Sequence, residues 1–355
     1  TDYHFDALRL DAVHGILDMS ARPFLAELSQ AVACRATRLG RPVYLIAESD
    51  LNDVRMIQPV AANGMGMDAQ WTDDFHHSLH ALLTGEDSGY YADFGAVSHF
   101  AESLRHGYVY RGHFSRYRVR RHGNDPAGAS DQQFCICIQN HDQVGNRMLG
   151  DRISQLVDLE RQKLGAAAVL LSPFVPLLFM GDEYGETQPF PYFIDHSDED
   201  LVEAVRQGRK EEFAAFAWKG EPPDAYAVKT FESARLRRTS GQPHDAMRAF
   251  YQRLIELRKQ YGIGAGALRT RRVEHYDEPS AVTVVADDVA IILGFAEKPH
   301  ALRTTLPPGR WRKQLSSRAA AWQGPGDDAP DQIIGADDVQ LALPGPIALL
   351  YTRAH

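Results

Sequence analysis

Three carboxylates follow apolar segments at positions where they could act together. Asp11 follows "FDALRL", Glu48 follows "PVYLIA" and Asp142 follows "CICIQNH". Continuous apolar runs are typical of strands buried on both faces, and parallel strands bring their carboxyl ends to one edge of the sheet. Two carboxylates that flank a glycosidic bond can hydrolyse it, one as nucleophile and one as acid and base.

Neighbouring residues suggest which catalytic role each carboxylate would have. Arg9 and Asp11 are two residues apart, so on a strand they face the same way, and a guanidinium favours the ionised carboxylate that a nucleophile needs. Glu48 follows apolar residues, and apolar surroundings favour the protonated acid that a proton donor needs. Asp142, beside His141, could hold substrate hydroxyls and favour the positive charge that develops on a sugar.

Each of these residues also has a structural explanation. A single Asp at the end of a strand often caps a helix or a turn. Arg9 and Asp11 could form an ion pair that only holds the strand. Three carboxylates at the same end of successive predicted strands are harder to explain in this way, so we expect one shared site.

The elements that would position this site alternate along the chain. Further apolar runs are found at 66–71 and 175–183, and helical patterns are found at 23–38, 155–171 and 199–217. Alternating strands and helices predict an α/β fold, and polar residues at the same end of about five strands favour a barrel over a doubly wound sheet. After residue 262 four short alternating runs, at 281–287, 289–297, 301–307 and 347–353, predict a small antiparallel β-domain.

Composition excludes several other functions. The net charge of −9 argues against nucleic-acid binding. The uncharged run 164–181 is long enough to raise the question of a membrane span, but Pro173 and Pro176 divide it into a helix and a strand. Three cysteines make no disulfide framework and indicate a reducing cytoplasm.

No cofactor or metal is expected from the motifs. The chain has no glycine-rich phosphate loop of a standard type. His76 and His80 are four residues apart, as in a zincin, but His77 stands where a zincin carries Glu.

Three of the quoted segments carry a family resemblance. "LRLDAVH" (8–14), "LIAESD" (45–50) and "IQNHDQVGNR" (138–147) resemble three ordered motifs of the α-amylase superfamily, glycoside hydrolase family 13. There the motifs end strands 4, 5 and 7 of a (β/α)₈ TIM barrel, which a small antiparallel β-sandwich follows. The resemblance implies that Asp11 is the nucleophile, Glu48 the acid/base and Asp142 the transition-state stabiliser. It also implies sugar contacts for Arg9, His14, His141, Gln143 and Asn146.

Two longer segments narrow the resemblance. Residues 70–95 and 179–213 look like the malto-oligosyltrehalose trehalohydrolases of that superfamily. This implies hydrolysis, with retention, of the α-1,4 bond next to the trehalose end of malto-oligosyltrehalose, which releases trehalose. It also implies that the "DDFHH" segment lines the substrate groove, with Asp73, Asp74, Phe75, His76 and His77. Trp71 and Phe75 could stack on sugars or lie in the core.

Other functions stay open at this point. A glycogen branching enzyme or a general α-amylase would use the same three carboxylates. An inactive sugar-binding fragment is the alternative from another class.

The start of the chain raises a further expectation. In the superfamily three barrel strands and an N-terminal β-domain precede "LRLDAVH", and here they are absent. We therefore interpret residues 1–262 as the C-terminal part of a catalytic barrel, with strands 4–8, and residues 263–355 as the β-sandwich. The missing N-terminal half of the same enzyme would be the partner, and the fragment alone is expected to be inactive and to aggregate.

Overall fold

A five-stranded parallel sheet forms the framework of the first half of the chain. The computed structural model describes residues 3–214 and 221–354. The strands before residue 180 are β1 (Ala7–Leu10), β2 (Tyr44–Ala47), β3 (Ala69–Trp71), β4 (Phe114–Ser115), β5 (Arg120–Arg121), β6 (Phe134–Ile136) and β7 (Val175–Pro176). The parallel sheet has the order β1-β2-β3-β6-β7, and β4 and β5 pair with each other outside it. The predicted alternation of strands and helices is confirmed.

Helices connect and cover these strands. They are α1 (Phe24–Leu39), α2 (Asp73–Thr84), α3 (Val97–His106), α4 (His141–Gly145), α5 (Ile153–Leu156), α6 (Leu159–Leu170), α7 (Glu199–Ala214), α8 (Val228–Ser233) and α9 (His244–Gln260). The single helix predicted at 155–171 is in fact two, because Asp158 caps α6 by accepting a hydrogen bond from the Arg161 amide. The helix predicted at 199–217 is α7, and its last three predicted residues lie outside the described residues.

The prediction of burial on both faces is wrong for β1 and for the start of β2. All residues of β6 are buried, whereas in β2 Leu45 and Ala47 are buried and Tyr44 is 48% exposed. In β1, which forms one edge of the sheet, Leu8 is 46% exposed. Sequence pattern alone cannot tell an edge strand from a central one, because both are apolar where they face the helices.

Close packing brings α6 against the end of β6. The α6 segment around Gly165 is apolar on all sides and buried. A Cβ atom at Gly165 would collide with the Cδ1 atom of Ile138, so a larger residue here would require that side chain to move. In the described residues no helix is long and apolar enough to cross a membrane.

Antiparallel sheets form the last quarter of the chain, as predicted. Their strands are β8 (Arg272–Tyr276), β9 (Ala281–Val285), β10 (Val289–Gly294), β11 (His300–Thr304), β12 (Gly309–Ser316), β13 (Gln332–Gly335), β14 (Val339–Leu343) and β15 (Ile347–Ala354). Six strands form one sheet in the order β13-β12-β15-β10-β9-β8, and β11 pairs with β14. The sequence patterns identified β9, β10, β11 and β15 and missed the other four, in which polar and apolar residues mix.

Candidate active site

The guanidinium of Arg9 lies among the three predicted carboxylates. Its Nη1 atom is 2.5 Å from Asp11 Oδ1, and its Nη2 atom is 3.8 Å from Glu48 Oε2 and 3.6 Å from Asp142 Oδ2. The pairing of β1 with β2, and the position of β6 two strands further along the sheet, bring the three segments to the same edge. The structure therefore places the three carboxylates around one cation, as the strand-end argument predicted.

Exposure differs among the three carboxylates. The Asp11 side chain is 79% exposed, Asp142 is 43% exposed and Glu48 is 18% exposed. Asp11 is thus open to a molecule that arrives from solvent, while Glu48 is largely enclosed.

The surroundings of Glu48 differ from the apolar walls that the sequence suggested. Its Oε2 atom accepts a hydrogen bond from the Ala12 amide at 2.5 Å, and Arg9 approaches the same oxygen. The Glu48 carbonyl accepts a hydrogen bond from the Val13 amide at 3.1 Å. The segments that follow β1 and β2 are therefore fixed to each other by the residues that carry the chemistry.

Asp142 lies in a short helix rather than at the end of a strand. β6 ends at Ile136, and Asp142 belongs to the first turn of α4. The Asn140 side chain caps this helix by accepting hydrogen bonds from the amides of Asp142 and Gln143, at 2.8 and 3.2 Å. His141 Nε2 lies 3.3 Å from Asp142 Oδ1, so the predicted pair is close together.

Trp71 lies beneath Arg9. The Arg9 Cζ atom is 4.3 Å from the centre of the indole, and the His141 ring lies edge-on to the same indole with centroids 6.1 Å apart. Trp71 is half-buried at the end of β3. It belongs to the site and is not a plain core residue.

Asp73 adds a fourth carboxylate to this edge. It begins α2, directly after β3, and accepts a long hydrogen bond of 3.4 Å from Gln143 Nε2. Burial and the charges of Glu48, Asp50, Asp74 and Asp142 raise the pKa of Asp73 to about 7. The Gln143 Oε1 atom is buried and has no hydrogen-bond partner, so this pair retains an unused acceptor next to the carboxylates.

The rest of the "DDFHH" segment is buried inside the protein and does not line an open groove. Asp74 accepts hydrogen bonds from Asn52 Nδ2 and from the Val109 and Tyr110 amides, at 2.7 to 2.8 Å. Phe75 is fully buried and packs against Phe100, with ring centroids 5.3 Å apart. The helical period explains the correction, because consecutive residues of α2 cannot all face the same edge.

The histidines of α2 are also buried. His76 Nδ1 donates to the Ile138 carbonyl and its Nε2 accepts from the Tyr91 hydroxyl, at 2.7 and 3.1 Å. His77 stacks on Tyr90, with centroids 4.8 Å apart. Burial, with the nearby His80 and Arg118, lowers the pKa of His77 to about 3. The predicted contacts of Asp74, Phe75, His76 and His77 with substrate are therefore not supported.

Neither histidine of the zincin-like spacing is available for a metal. His76 and His80 lie on one face of α2 with ring centroids 5.2 Å apart, but His80 Nε2 is 2.8 Å from Glu86 Oε2. Among the described residues no group of three or more His, Cys, Asp or Glu could hold a metal ion.

The structure also places His14 and Asn146, and it shows a pair, Asp50 and Arg118, that the sequence reasoning missed. His14 lies exposed in the turn after β1. Asn146 Oδ1 accepts a hydrogen bond of 3.1 Å from Arg209 of α7. Asp50, two residues after Glu48, pairs with Arg118 Nη1 at 2.9 Å. The spacing from Glu48 could have identified Asp50, but no sequence signal connects it to Arg118.

The charge of Asp50 is set by these neighbours. Burial alone would raise the pKa of Asp50, but the hydrogen bond and charge of Arg118, with His14 and His122, outweigh burial and lower it. Asp50 and Arg118 thus form a charged pair two residues beyond Glu48.

Comparisons with known proteins identify the family. The chain is 42% identical over 262 residues to a malto-oligosyltrehalose trehalohydrolase of Saccharolobus solfataricus, which covers 74% of this chain and 44% of that protein. It is 41% identical over 313 residues to one of Arthrobacter ramosus, which covers 87% of this chain and 52% of that protein. The chain belongs to the malto-oligosyltrehalose trehalohydrolase family. It spans about half the length of the curated family members it matches. No family model matches it.

Solved structures agree with this place in the trehalohydrolase family. A crystal structure described as a putative alpha amylase from Salmonella typhimurium superposes with a TM-score of 0.84 at 32% identity, covering 99% of this chain and 58% of that chain. The alpha-amylase from H.orenii superposes with a TM-score of 0.54 at 13% identity, which shows a shared fold alone. The fold of this trehalohydrolase-family chain is thus of the α-amylase type, with a sheet-rich C-terminal part.

Proposed function

We propose that the enzyme to which this chain belongs hydrolyses the α-1,4-glucosidic bond next to the trehalose end of malto-oligosyltrehalose and releases trehalose. The observation that carries the proposal is the contact of one guanidinium, Arg9, with Asp11, Glu48 and Asp142 at distances of 2.5 to 3.8 Å. The names of the matched relatives supply the substrate class.

The proposed mechanism is a double displacement with retention. Asp11, the most exposed of the three carboxylates and paired with Arg9, attacks the anomeric carbon and forms a glycosyl ester. Glu48 first donates a proton to the leaving oxygen and then removes one from the water that hydrolyses the ester. Asp142 favours the positive charge that develops on the sugar between these steps.

Around these three, we propose sugar contacts for the residues that border the group. They are Arg9, His14, Asp73, His141, Gln143 and Asn146. Asp73 suits this role because its raised pKa leaves it partly protonated near pH 7, so that it can donate as well as accept a hydrogen bond.

The architecture that we propose is the C-terminal part of a (β/α)₈ barrel. The five parallel strands β1, β2, β3, β6 and β7 would be barrel strands 4 to 8, with the catalytic part ending at residue 262 and the β-sandwich covering 263–355. The order of the strands in the sheet, which follows their order in the chain, supports this numbering. The N-terminal half of the same enzyme would then pair with the edge of β1. A cytoplasmic location fits the three cysteines, all of them free.

Product analysis tests the substrate. The enzyme that carries this chain is incubated with maltotriosyltrehalose and, separately, with maltopentaose, and the products are separated by chromatography. We expect free trehalose from the first and slower cleavage of the second. Faster cleavage of maltopentaose would indicate a general α-amylase, transfer to a longer chain would indicate a branching enzyme, and binding without turnover would indicate a sugar-binding fragment.

Replacement of the proposed nucleophile tests the mechanism. Asp11→Asn keeps the shape but removes the attacking charge, so we expect kcat to fall by at least about 10³-fold. Asp6→Asn is the matched control, because Asp6 precedes the same strand and its carboxylate pairs with Arg41 at 2.7 Å, away from the site. Equal rates for the two variants would assign Asp11 a structural role.

A further inference from the structure

The ion pairs of Arg9 leave the orientation of its guanidinium only weakly fixed. Nη1 pairs with Asp11, whose side chain is 79% exposed. The two contacts of Nη2, with Glu48 and Asp142, are longer, at 3.8 and 3.6 Å. The Arg9 Nε atom is buried and has no hydrogen-bond partner. Hydrogen bonds from its inner end therefore do not hold the guanidinium in place.

The indole of Trp71 provides the missing support. The Arg9 Cζ atom lies 4.3 Å from the ring centre, which is within the range of a cation–π contact. A planar guanidinium can lie on a ring while its two terminal nitrogens point outward in the plane, here towards the carboxylates that follow β1 and β2 and the one in α4. Trp71 is positioned for this by β3, which pairs with β2 on one side and β6 on the other.

We propose that Trp71 is a positioning residue, whose indole holds the Arg9 guanidinium between Asp11, Glu48 and Asp142. The same ring touches the edge of His141, with centroids 6.1 Å apart, so it also limits the movement of the histidine beside Asp142. Trp71 acts through Arg9 and need not contact the reacting atoms. One face of the indole is occupied by Arg9, which leaves it unsuited to be a two-sided platform for sugars.

A structural readout tests the contact without reference to activity. Protons that lie over an indole face are shifted upfield in the NMR spectrum, so the Arg9 Nε–H and Cδ protons of the 355-residue chain should be shifted. The signals are assigned by their absence in Arg9→Lys. We expect Trp71→Leu to return them to ordinary positions and Trp71→Phe to keep part of the shift.

Trp322→Leu is the matched control. Trp322 packs on Phe250 near the C-terminal sheets, and its Nε1 donates to the Ser316 carbonyl, so its loss should leave the Arg9 signals in place. Unshifted Arg9 protons in the parent chain, or shifts that survive in Trp71→Leu, would overturn the proposal.

Kinetics test the consequence, and this part rests on the proposed function. In the enzyme that carries this chain, Trp71→Leu should lower kcat by up to about 100-fold with a small change in KM, and Trp71→Phe should recover part of the rate. Adding Trp71→Leu to Arg9→Lys should cost little more than Arg9→Lys alone, because both changes remove the same interaction.

The outcomes separate the two proposals. Losses that multiply in the double variant, or a Trp71→Leu variant that raises KM alone, would show that Trp71 contacts sugar independently of Arg9. If the enzyme releases no trehalose, the proposed function is refuted. If the upfield shift of the Arg9 protons is nevertheless present in the parent and lost in Trp71→Leu, the proposed contact of Trp71 with Arg9 stands.

Discussion

Negative charge is concentrated around Asp73. Glu48, Asp50, Asp74 and Asp142 all act on its carboxylate, and Gln143 contributes only a long hydrogen bond of 3.4 Å. Arg9 contacts the three proposed catalytic carboxylates and not Asp73. Arg9 therefore offsets the charge of three carboxylates, whereas Asp73 has no such cation beside it among the described residues and binds a proton near neutral pH.

The raised pKa of Asp73 predicts a pH-dependent cost to stability. The carboxyl ionises near pH 3.8 in the unfolded chain but near pH 7 in the folded one. Between these values the unfolded state binds fewer protons, so the free energy of unfolding decreases as the pH rises. Asp73→Asn should remove this loss and be more stable than the parent, by an amount that grows from pH 4 to pH 7 and then levels off.

Thermal unfolding at a series of pH values measures this difference. Asp328→Asn, at an exposed loop position, is the control and should follow the parent at every pH. A constant offset between Asp73→Asn and the parent across pH 4 to 7 would show that Asp73 is already ionised in the folded state.

Helix α2 carries a group of buried titratable residues. The ring of His76 lies 5.5 Å from that of His77 and 5.2 Å from that of His80, and all three rings pack against Tyr91. Burial, the first cause, lowers the pKa of each. The folded chain therefore favours neutral imidazoles at these three positions. In acid, burying them costs free energy, because the unfolded chain binds protons that the folded chain does not.

His77 allows this cost to be measured. Its pKa is about 3 in the folded chain and 6.5 in the unfolded one, so the unfolded state gains a proton first as the pH falls, and stability is lost below pH 6.5. His77→Phe keeps the stacking on Tyr90 and should remove about 2 kcal/mol of this loss at pH 5, at 1.36 kcal/mol per pH unit.

Denaturant unfolding at pH 8 and pH 5 gives the comparison. His300→Gln, exposed on β11, is the control. If the parent and His77→Phe lose the same stability between pH 8 and pH 5, the imidazole of His77 is protonated in the folded protein.

These elements also show what a sequence can and cannot predict. Strand-end spacing predicted that Arg9, Asp11, Glu48 and Asp142 lie together, because each stands within a few residues of an apolar run. The buried face of α2 was misjudged because Asp74 is satisfied by amides at Val109 and Tyr110, far along the chain. The same reason hides the pairing of Asp50 with Arg118, which only the tertiary fold brings together.

On the scale of the whole molecule, apolar side chains are exposed beside the edge strand β1. Leu17 is 92% exposed, Met19 is 99% exposed and Phe5 is 66% exposed. An unpaired strand edge beside exposed apolar residues favours association of chains. We expect the 355-residue chain to form larger species as its concentration rises, as measured by sedimentation velocity.

Negative charge introduced at the exposed apolar residues beside β1 should reduce the association of chains. The double variant Leu17→Glu, Met19→Glu is expected to stay monomeric at concentrations where the parent has associated. Ile334→Glu, which removes a 68% exposed apolar side chain on β13, is the control. An equal reduction by the control would assign the effect to net charge and not to the edge of β1.

Arg271 joins the parallel and antiparallel parts of the molecule. Its guanidinium, only 9% exposed, forms two hydrogen bonds of 2.8 Å with Asp131 and donates to the Leu104 carbonyl at 3.0 Å. Asp131 precedes β6, and Arg271 precedes β8. Arg271→Met keeps the length of the side chain but leaves a partly buried carboxylate without its partner, which should cost about 3 kcal/mol of unfolding free energy.

The exposed pair of Arg303 with Asp338 provides the matched comparison for this last prediction. Its atoms are 3.4 Å apart, and both side chains are more than 60% exposed, at 71% and 65%. Arg303→Met should therefore change stability by less than about 0.5 kcal/mol. Equal losses in the two variants, measured by denaturant unfolding, would mean that Arg271 is no more than a surface cation. A second unfolding transition in Arg271→Met alone would instead show that this contact makes the two parts unfold as one unit.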